Sequence, residues 1–156
     1  MKSKEGVVEL LNQLLTDDMA AINQYFMHAV MCQQWGYERL YHKLREMSIG
    51  EMRDVERIIH RILYLEGLPN LQRQARVEIG ESVEEHLRLD LTQEQNLAQT
   101  LAQTVAHCGQ VGDFATRGML EEMLRHQDSD IEWLETQLET IKQVGIQNYL
   151  SQQIEE

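Results

Sequence analysis

The chain has 156 residues, a formal net charge of −12, one proline, nine glycines and two cysteines. That length suits one domain with a real core, spanning 1–156, and is short for two. The acidic balance leaves no Lys or Arg stripe to neutralise phosphates, which excludes nucleic acid as a partner and favours small cations. No apolar run reaches membrane-spanning length, and the N-terminal MKSKEGVVELL is charged where a signal peptide is apolar, so the expectation is a soluble, cytoplasmic protein with no membrane partner.

Apolar residues three or four apart predict a first helix over 5–34, with Leu11, Leu15, Ile22, Tyr25 and Ala29 on its dry face, closing near Trp35-Gly36. A second helix over 38–65 carries Leu44, Met47, Ile58, Ile62 and Leu65 and is stopped by Gly67-Leu68-Pro69. The connection from Asn70 to Ser82 is too long for a hairpin turn and lets the second and third helices run parallel. Ser82 with Glu85 has the spacing of a capping box, opening a third helix with Leu87, Leu91, Leu97, Leu101 and Val105. Gly109 and Gly112 break the chain, and Asp113 can cap a fourth helix to about 142, with Leu120, Met123, Leu134, Leu138 and Ile141. Gly145 ends it, and 146–154 is either a short fifth helix or a frayed end. Cys32 and Cys108 have no CxxC spacing and read as small core fillers, not as a disulfide or zinc site.

Six polar residues interrupt these dry faces near the middle of each helix: Asp18, Glu51, Asp54, Glu94, Gln127 and Asp130. In an up-and-down bundle the midpoints of four similar helices lie at one level, so the six converge. Burying carboxylates without a partner costs more than a fold's small net stability, and the stripes hold no Lys or Arg to pair with them. Hydrogen bonds to Tyr25 or Gln127, or protonation, can satisfy single members. For the whole set the pattern points to a metal: two helices giving one carboxylate each and two giving an i, i+3 pair is the ligand plan of di-iron carboxylate bundles.

The chain resembles the bacterioferritins of the ferritin-like superfamily over its whole length. The resemblance is carried by Ile22-Asn23-Gln24-Tyr25-Phe26, Trp35-Gly36, the run ILYLEGLPNLQ from Ile62 to Gln72, Ile79-Gly80-Glu81, Trp133-Leu134-Glu135-Thr136 and Gln147-Asn148-Tyr149-Leu150. It implies an all-α, ferritin-like four-helix bundle with one long crossover and a short fifth C-terminal helix, in an iron-storage cage of 24 subunits built from two-fold dimers, with haem b between paired subunits. The fifth helix would line the four-fold axes.

Against the family's catalytic pattern, Glu51 and Glu94 match, Asp18 is one methylene short, Asp54 and Asp130 stand where imidazoles are expected, and Gln127 replaces a bridging carboxylate. Without ring nitrogens the pocket offers only oxygen, which favours Mg2+, Ca2+, Mn2+ or weakly held Fe2+, and fast ferroxidase chemistry is expected to be impaired. His28, His42, His60, His86, His107 and His126 lie off the stripes and are expected at surfaces or interfaces; His126, four residues from Glu122, has the spacing for a surface cation.

Pattern alone makes Met52 a packing residue. The resemblance implies that it is the haem axial ligand, facing its own copy across a dimer axis, with Met19, Asn23, Phe26 and Ile49 lining the haem pocket. The leading expectation is therefore a haem-carrying storage subunit. Oxidation is either supplied by a catalytic bacterioferritin subunit in the same shell or occurs slowly at the mineral surface, and electrons come from a ferredoxin-type donor. Two other readings stand beside it: a working ferroxidase with Gln127 binding through its amide oxygen, and a structural subunit whose pocket is vestigial.

Overall fold

The computed structural model describes residues 1–155, and among them five helices and no strand. They are α1 (Val7–Gln34), α2 (Glu38–Tyr64), α3 (Val83–Val111), α4 (Phe114–Val144) and α5 (Ile146–Ser151). Each end has a local cause. Ser82 Oγ accepts from the Glu85 amide at 3.2 Å, while the Glu85 carboxylate reaches back to the Glu81 amide at 2.8 Å, one residue before the cap itself. Asp113 accepts from both the amide (3.1 Å) and the hydroxyl (2.6 Å) of Thr116.

Gly112, at φ 82°, is the left-handed residue that ends α3. Gly109, expected to break the chain, continues within α3 instead. One helix-compatible glycine costs only about 1 kcal/mol against Ala, too little to end a helix that is packed on both sides. The last segment is settled as a helix, α5, tied down by the Tyr149 hydroxyl on Gln137 Oε1 at 2.7 Å and by the Arg39 amide on the Gln153 carbonyl at 3.0 Å.

α1 packs along α2 and α3 along α4, with α1 also against α3, whereas α2 meets α4 only lightly. The connection between α2 and α3 has no regular structure and is fastened to α1 in register: the Asn70 amide on Asn12 Oδ1 (2.8 Å), Arg73 Nε on Thr16 Oγ1 (3.3 Å), the Glu78 amide on Gln24 Oε1 (3.1 Å) and the Gly80 amide on His28 Nε2 (3.1 Å). Because the strap ascends α1 in the same direction as α1 itself, α3 starts beside the end of α1. It therefore runs parallel to α2, the four-helix bundle with one long crossover.

The apolar core falls into two clusters. One holds Val7, Leu11, Leu14, Leu15, Val55, Ile58, Ile62, Leu101, Leu120 and Met123; the other holds Ala29, Leu40, Leu44, Met47, Leu87, Leu97, Leu134 and Ile141. Cys108 is buried in the first and Cys32 in the second, both as free thiols. Between the clusters, along all four helices, lies the level of the interrupting polar residues.

Two of the histidines expected at surfaces are fully buried, His28 and His86. Their faces of α1 and α3 look not at the bundle axis but at the strap, which has no periodicity of its own to reveal its position. The rings stack at 3.8 Å between centroids, 10° apart, and Trp35 stacks on His86 at 5.3 Å. The Gly80 amide can only donate, so His28 Nε2 accepts and its Nδ1–H goes to Asp90 Oδ1 at 2.9 Å. The Gly80 carbonyl can only accept, so His86 Nε2–H donates to it at 2.8 Å and leaves Nδ1 facing Cys32 Sγ at 3.7 Å. Burial, reinforced by the neighbouring His28 ring, holds His86 down to about 4.

Gly80 sits where nothing larger fits: a Cβ there would lie 2.8 Å from His86 Cδ2 and 3.0 Å from the His86 amide nitrogen. Gly80→Ala should therefore destabilise the protein by about 1–3 kcal/mol, read as a lower urea midpoint with unchanged slope, and an unchanged midpoint would show that the strap does not depend on this contact.

Candidate metal centre

Asp18, Glu51, Asp54, Glu94 and Gln127 are all buried, as their places in the apolar stripes predict. Asp130 is only partly buried, because it lies on the side of α4 that faces the loose α2/α4 seam and not the axis. At the groove mouth Lys43 pairs with Glu46 at 3.9 Å and Arg57 with Glu122 at 2.8 Å. Glu122, expected with His126 to have the spacing for a surface cation, has its Oε2 held by the Arg57 guanidinium.

The layer is short of donors. The Tyr25 hydroxyl, itself fully buried, donates to Glu94 Oε1 at 2.8 Å. Glu51 Oε2, Glu94 Oε2 and Gln127 Oε1 are buried with no hydrogen-bond partner. One oxygen each from Glu51, Glu94 and Asp130 lie within 4.8 Å of one another. Acid oxygens collected this closely, without N–H groups, are satisfied by protons or by a cation.

Their acidities say the same. Burial, together with Asp54 and Glu94, keeps Asp18 well above the usual carboxylate range, and burial with Glu94 and Asp18 does so for Glu51. Burial pushes Glu94 up to about 7 against the hydrogen bonds from Glu51 and Tyr25. Burial brings Asp130 to about 6 in spite of Lys43 and His126. Asp54 is raised less freely, since His126 and Arg57 offset its burial.

Two openings adjoin the layer. Towards α1 there is a cavity of about 10 Å³ between Asp18, Asp54, Gln127 and the apolar Leu14, Leu97, Leu101 and Met123. Towards the α2/α4 seam a groove of about 410 Å³ reaches Glu51, Asp54, Gln127 and Asp130 from a mouth lined by Lys43, Glu46, Arg53, Arg57 and His126.

In the di-iron bundles that carry two Glu-x-x-His pairs an imidazole is available to each iron, whereas Asp54 and Asp130 stand at those spacings here and Gln127 contributes a neutral amide. The all-oxygen donor set suits a hard divalent cation, which takes carboxylate, amide and water oxygens.

Sequence reasoning missed Asp90. It is fully buried one helical turn before Glu94, with its Oδ1 taking hydrogen bonds from Gln24 Nε2 (3.0 Å) and His28, and its Oδ2 unpartnered. The signal was available, since Leu87, Asp90 and Glu94 follow i, i+3, i+7 on α3.

Five residues were expected around a haem. Met19 and Ile49 are half-buried, while Asn23, Phe26 and Met52 are exposed, Phe26 at 53% and Met52 at 47%. Met19, Asn23 and Phe26 follow i, i+4, i+7 on α1, and Ile49 and Met52 lie three apart on α2. They leave thioether and aromatic surface uncovered in this chain.

Because Glu94 and Asp130 are protonated higher in the folded chain than their ordinary values of 4.5 and 3.8, the metal-free protein is most stable below about pH 4.5 as far as these groups are concerned, and loses that contribution as pH rises through 6 to 7. His86 acts oppositely, destabilising the fold as pH falls from 6.5 towards 4, so wild type is compared with Glu94→Gln. Relative to the variant, the metal-free wild type should lose on the order of 3 kcal/mol between pH 4.5 and 8, measured by chemical denaturation. A constant difference across that range would mean that Glu94 ionises normally.

With this geometry in hand, comparison with known proteins is direct. The Ferritin family, described as a ferritin-like domain, matches residues 8–144. The chain is similar to the bacterioferritin of Brucella melitensis, 36% identical over 149 residues covering 96% of this chain and 92% of that protein. It is equally similar to the bacterioferritin of Mycolicibacterium paratuberculosis, 37% identical over 152 residues and covering 97% and 96%. A bacterial ferritin of Synechocystis is 37% identical over 155 residues, covering 99% of each chain. With a ferritin-like fold and this identity along nearly its full length, the chain belongs to the bacterioferritins.

Proposed function

We propose that this chain is a haem-carrying subunit of an iron-storage cage in which the two-iron oxidation centre is impaired. The observation that carries the reading is the donor set at the bundle midpoint: four acids and an amide, buried between two apolar cores, plus Asp130 at the groove, with no ring nitrogen among them. Iron is the cargo of such a protein, and membership of the bacterioferritins supports storage in an oligomeric shell. A cage of 24 subunits made from two-fold dimers, located in the cytoplasm, is the assembly this reading takes. No described helix is long and apolar enough to cross a membrane.

Oxidation of Fe(II) by oxygen at paired irons needs ligands that stabilise the ferric product and hold two metals at a fixed distance. Asp54 and Asp130 supply neither imidazole basicity nor reach, and the neutral Gln127 is a poor bridge. The missing step then comes from a catalytic bacterioferritin subunit in the same shell, or from slow growth at the mineral surface.

Met52 supports the haem half. Its exposed thioether, with Met19, Asn23, Phe26 and Ile49 on the adjoining surface, is an apolar region that a second copy would cover, and a two-fold axis through it doubles the single sulfur into a pair. Met52 would hold haem b, and Phe26 and Ile49 would keep water from it; the group would supply one-electron transfer, suited to reducing stored Fe(III) with electrons from a ferredoxin-type donor.

Two measurements test the reading. Met52→Ala should remove the haem absorption bands from the assembled protein, and bands of unchanged intensity would overturn the haem assignment. With two Fe(II) per chain, stopped-flow oxidation should lack a fast saturable phase, running at least about 100-fold slower than at a histidine-containing centre. A fast saturable phase would favour the second reading, a ferroxidase using the unpartnered Gln127 Oε1 as a ligand.

A further inference from the structure

The six residues of the polar layer are not equivalent in space. Among the described acid, histidine and cysteine side chains one trio, Glu51 on α2, Glu94 on α3 and Asp130 on α4, brings an oxygen from each member within 4.8 Å of the others, and neither Asp18 nor Asp54 belongs to it. Two ligands of one ion can be no further apart than twice the metal–oxygen distance. For hard cations at about 2.1–2.4 Å that limit is about 4.2–4.8 Å, so the trio meets the pairwise condition, and three oxygens 4.8 Å apart need only draw in to about 4.2 Å to share one ion at about 2.4 Å.

A second, independent observation points to a ligand at the same place. Glu51 Oε2, Glu94 Oε2 and Gln127 Oε1 are buried with no protein donor, on side chains that are each at most 3% exposed. Glu51 and Gln127 also line the groove between α2 and α4.

Space separates the two halves further. On the α2/α4 side the groove of about 410 Å³ gives a cation a way in and leaves room for the waters that complete its shell. The other cavity, of about 10 Å³, is lined by Asp18, Asp54 and Gln127 together with the apolar Leu14, Leu97, Leu101 and Met123. It is no larger than one water needs, so a second cation beside Asp18 and Asp54 would have no room for its own waters. Gln127, as a neutral amide, can give its oxygen to one ion but does not offset the repulsion between two.

We propose that the layer is a mononuclear site: one hard divalent cation bound by Glu51, Glu94 and Asp130 with the Gln127 amide oxygen, loaded through the α2/α4 groove, while Asp18 and Asp54 take no cation of their own. This deepens the storage reading above and rests on it for the oligomeric form, but it concerns stoichiometry and ligand identity, which storage does not decide.

The test uses the assembled full-length protein, stripped of metal and titrated with Mn2+, followed by calorimetry and electron paramagnetic resonance. The expected result is one saturable Mn2+ per chain with an isolated six-line spectrum, at least tenfold weaker in Glu94→Gln and in Asp130→Asn, and within threefold of wild type in Asp18→Asn. Two Mn2+ per chain with an exchange-coupled spectrum, no saturable binding, or equal weakening by the Asp18 and Glu94 substitutions would overturn it. Iron-mineral loading of the same preparation separates the two readings. A cage that mineralises iron yet binds paired Mn2+ refutes the mononuclear site alone, whereas single Mn2+ binding without mineralisation supports the site and refutes storage.

Discussion

The constraint on which the rest of this molecule depends is a sheet of acid groups laid across a four-helix bundle between two apolar cores. Leu11, Leu15, Ile58, Ile62 and Leu120 close one end, and Leu40, Leu44, Leu87, Leu134 and Ile141 the other. At the level between them the helices present oxygen to oxygen, and the chain supplies almost no hydrogen to share among them beyond the Tyr25 hydroxyl. Such a layer holds together only with protons or a cation in it. Its acidity, its preference for hard ions and its dependence on the groove all follow from that shortage.

Register is the second requirement, because sliding one helix by a turn would place leucine among the carboxylates. The strap between α2 and α3 settles it. Asn12, Thr16, Gln24 and His28 of α1 each hold one point of the strap, and the strap in turn fixes where α3 begins. Asp90 joins the two systems, taking hydrogen bonds from Gln24 and His28 of the strap assembly one turn below Glu94 on the same helix. The placement of Glu94 is thus inherited from the docking of an irregular segment, which is gripped by two buried imidazoles, His28 of α1 and His86 of α3, at a glycine with no room for a Cβ.

What the sequence could disclose depended on whether a residue's surroundings were periodic. Asp18, Glu51, Asp54, Glu94 and Gln127 were visible because each occupies an apolar slot in a regular helix facing other regular helices, and all five are buried. His28 and His86 were not, because what buries them is the strap, whose path has no repeat to read. Asp90 lay in plain view beside Leu87 and Glu94 but faces both the strap and the axis, so its partner Gln24 gave no sign in either stripe. Asp130 was half right: its spacing from Gln127 put it at the correct level, and only the looseness of the α2/α4 seam opens it to the groove. Met52 marks the limit of a single chain, since one molecule shows only that its thioether is exposed and not what covers it.

The persistence of oxygen donors where imidazoles are absent has an energetic implication. If the pocket served only to join two cores, apolar side chains of similar volume would do so as well or better, since buried polar groups without complete partners add cost and their replacement is often neutral or stabilising. Glu51, Glu94 and Gln127 instead keep bare oxygens in the interior, and Glu51 and Gln127 line an open groove. An arrangement of that kind is unfavourable alone and favourable when loaded, because a cation that binds the folded chain and not the unfolded one stabilises the fold in proportion to its concentration above Kd. Loaded as proposed, the layer would tie the stability of each subunit to the supply of such an ion, a coupling that needs no oxidation chemistry and that a leucine-filled bundle could not have.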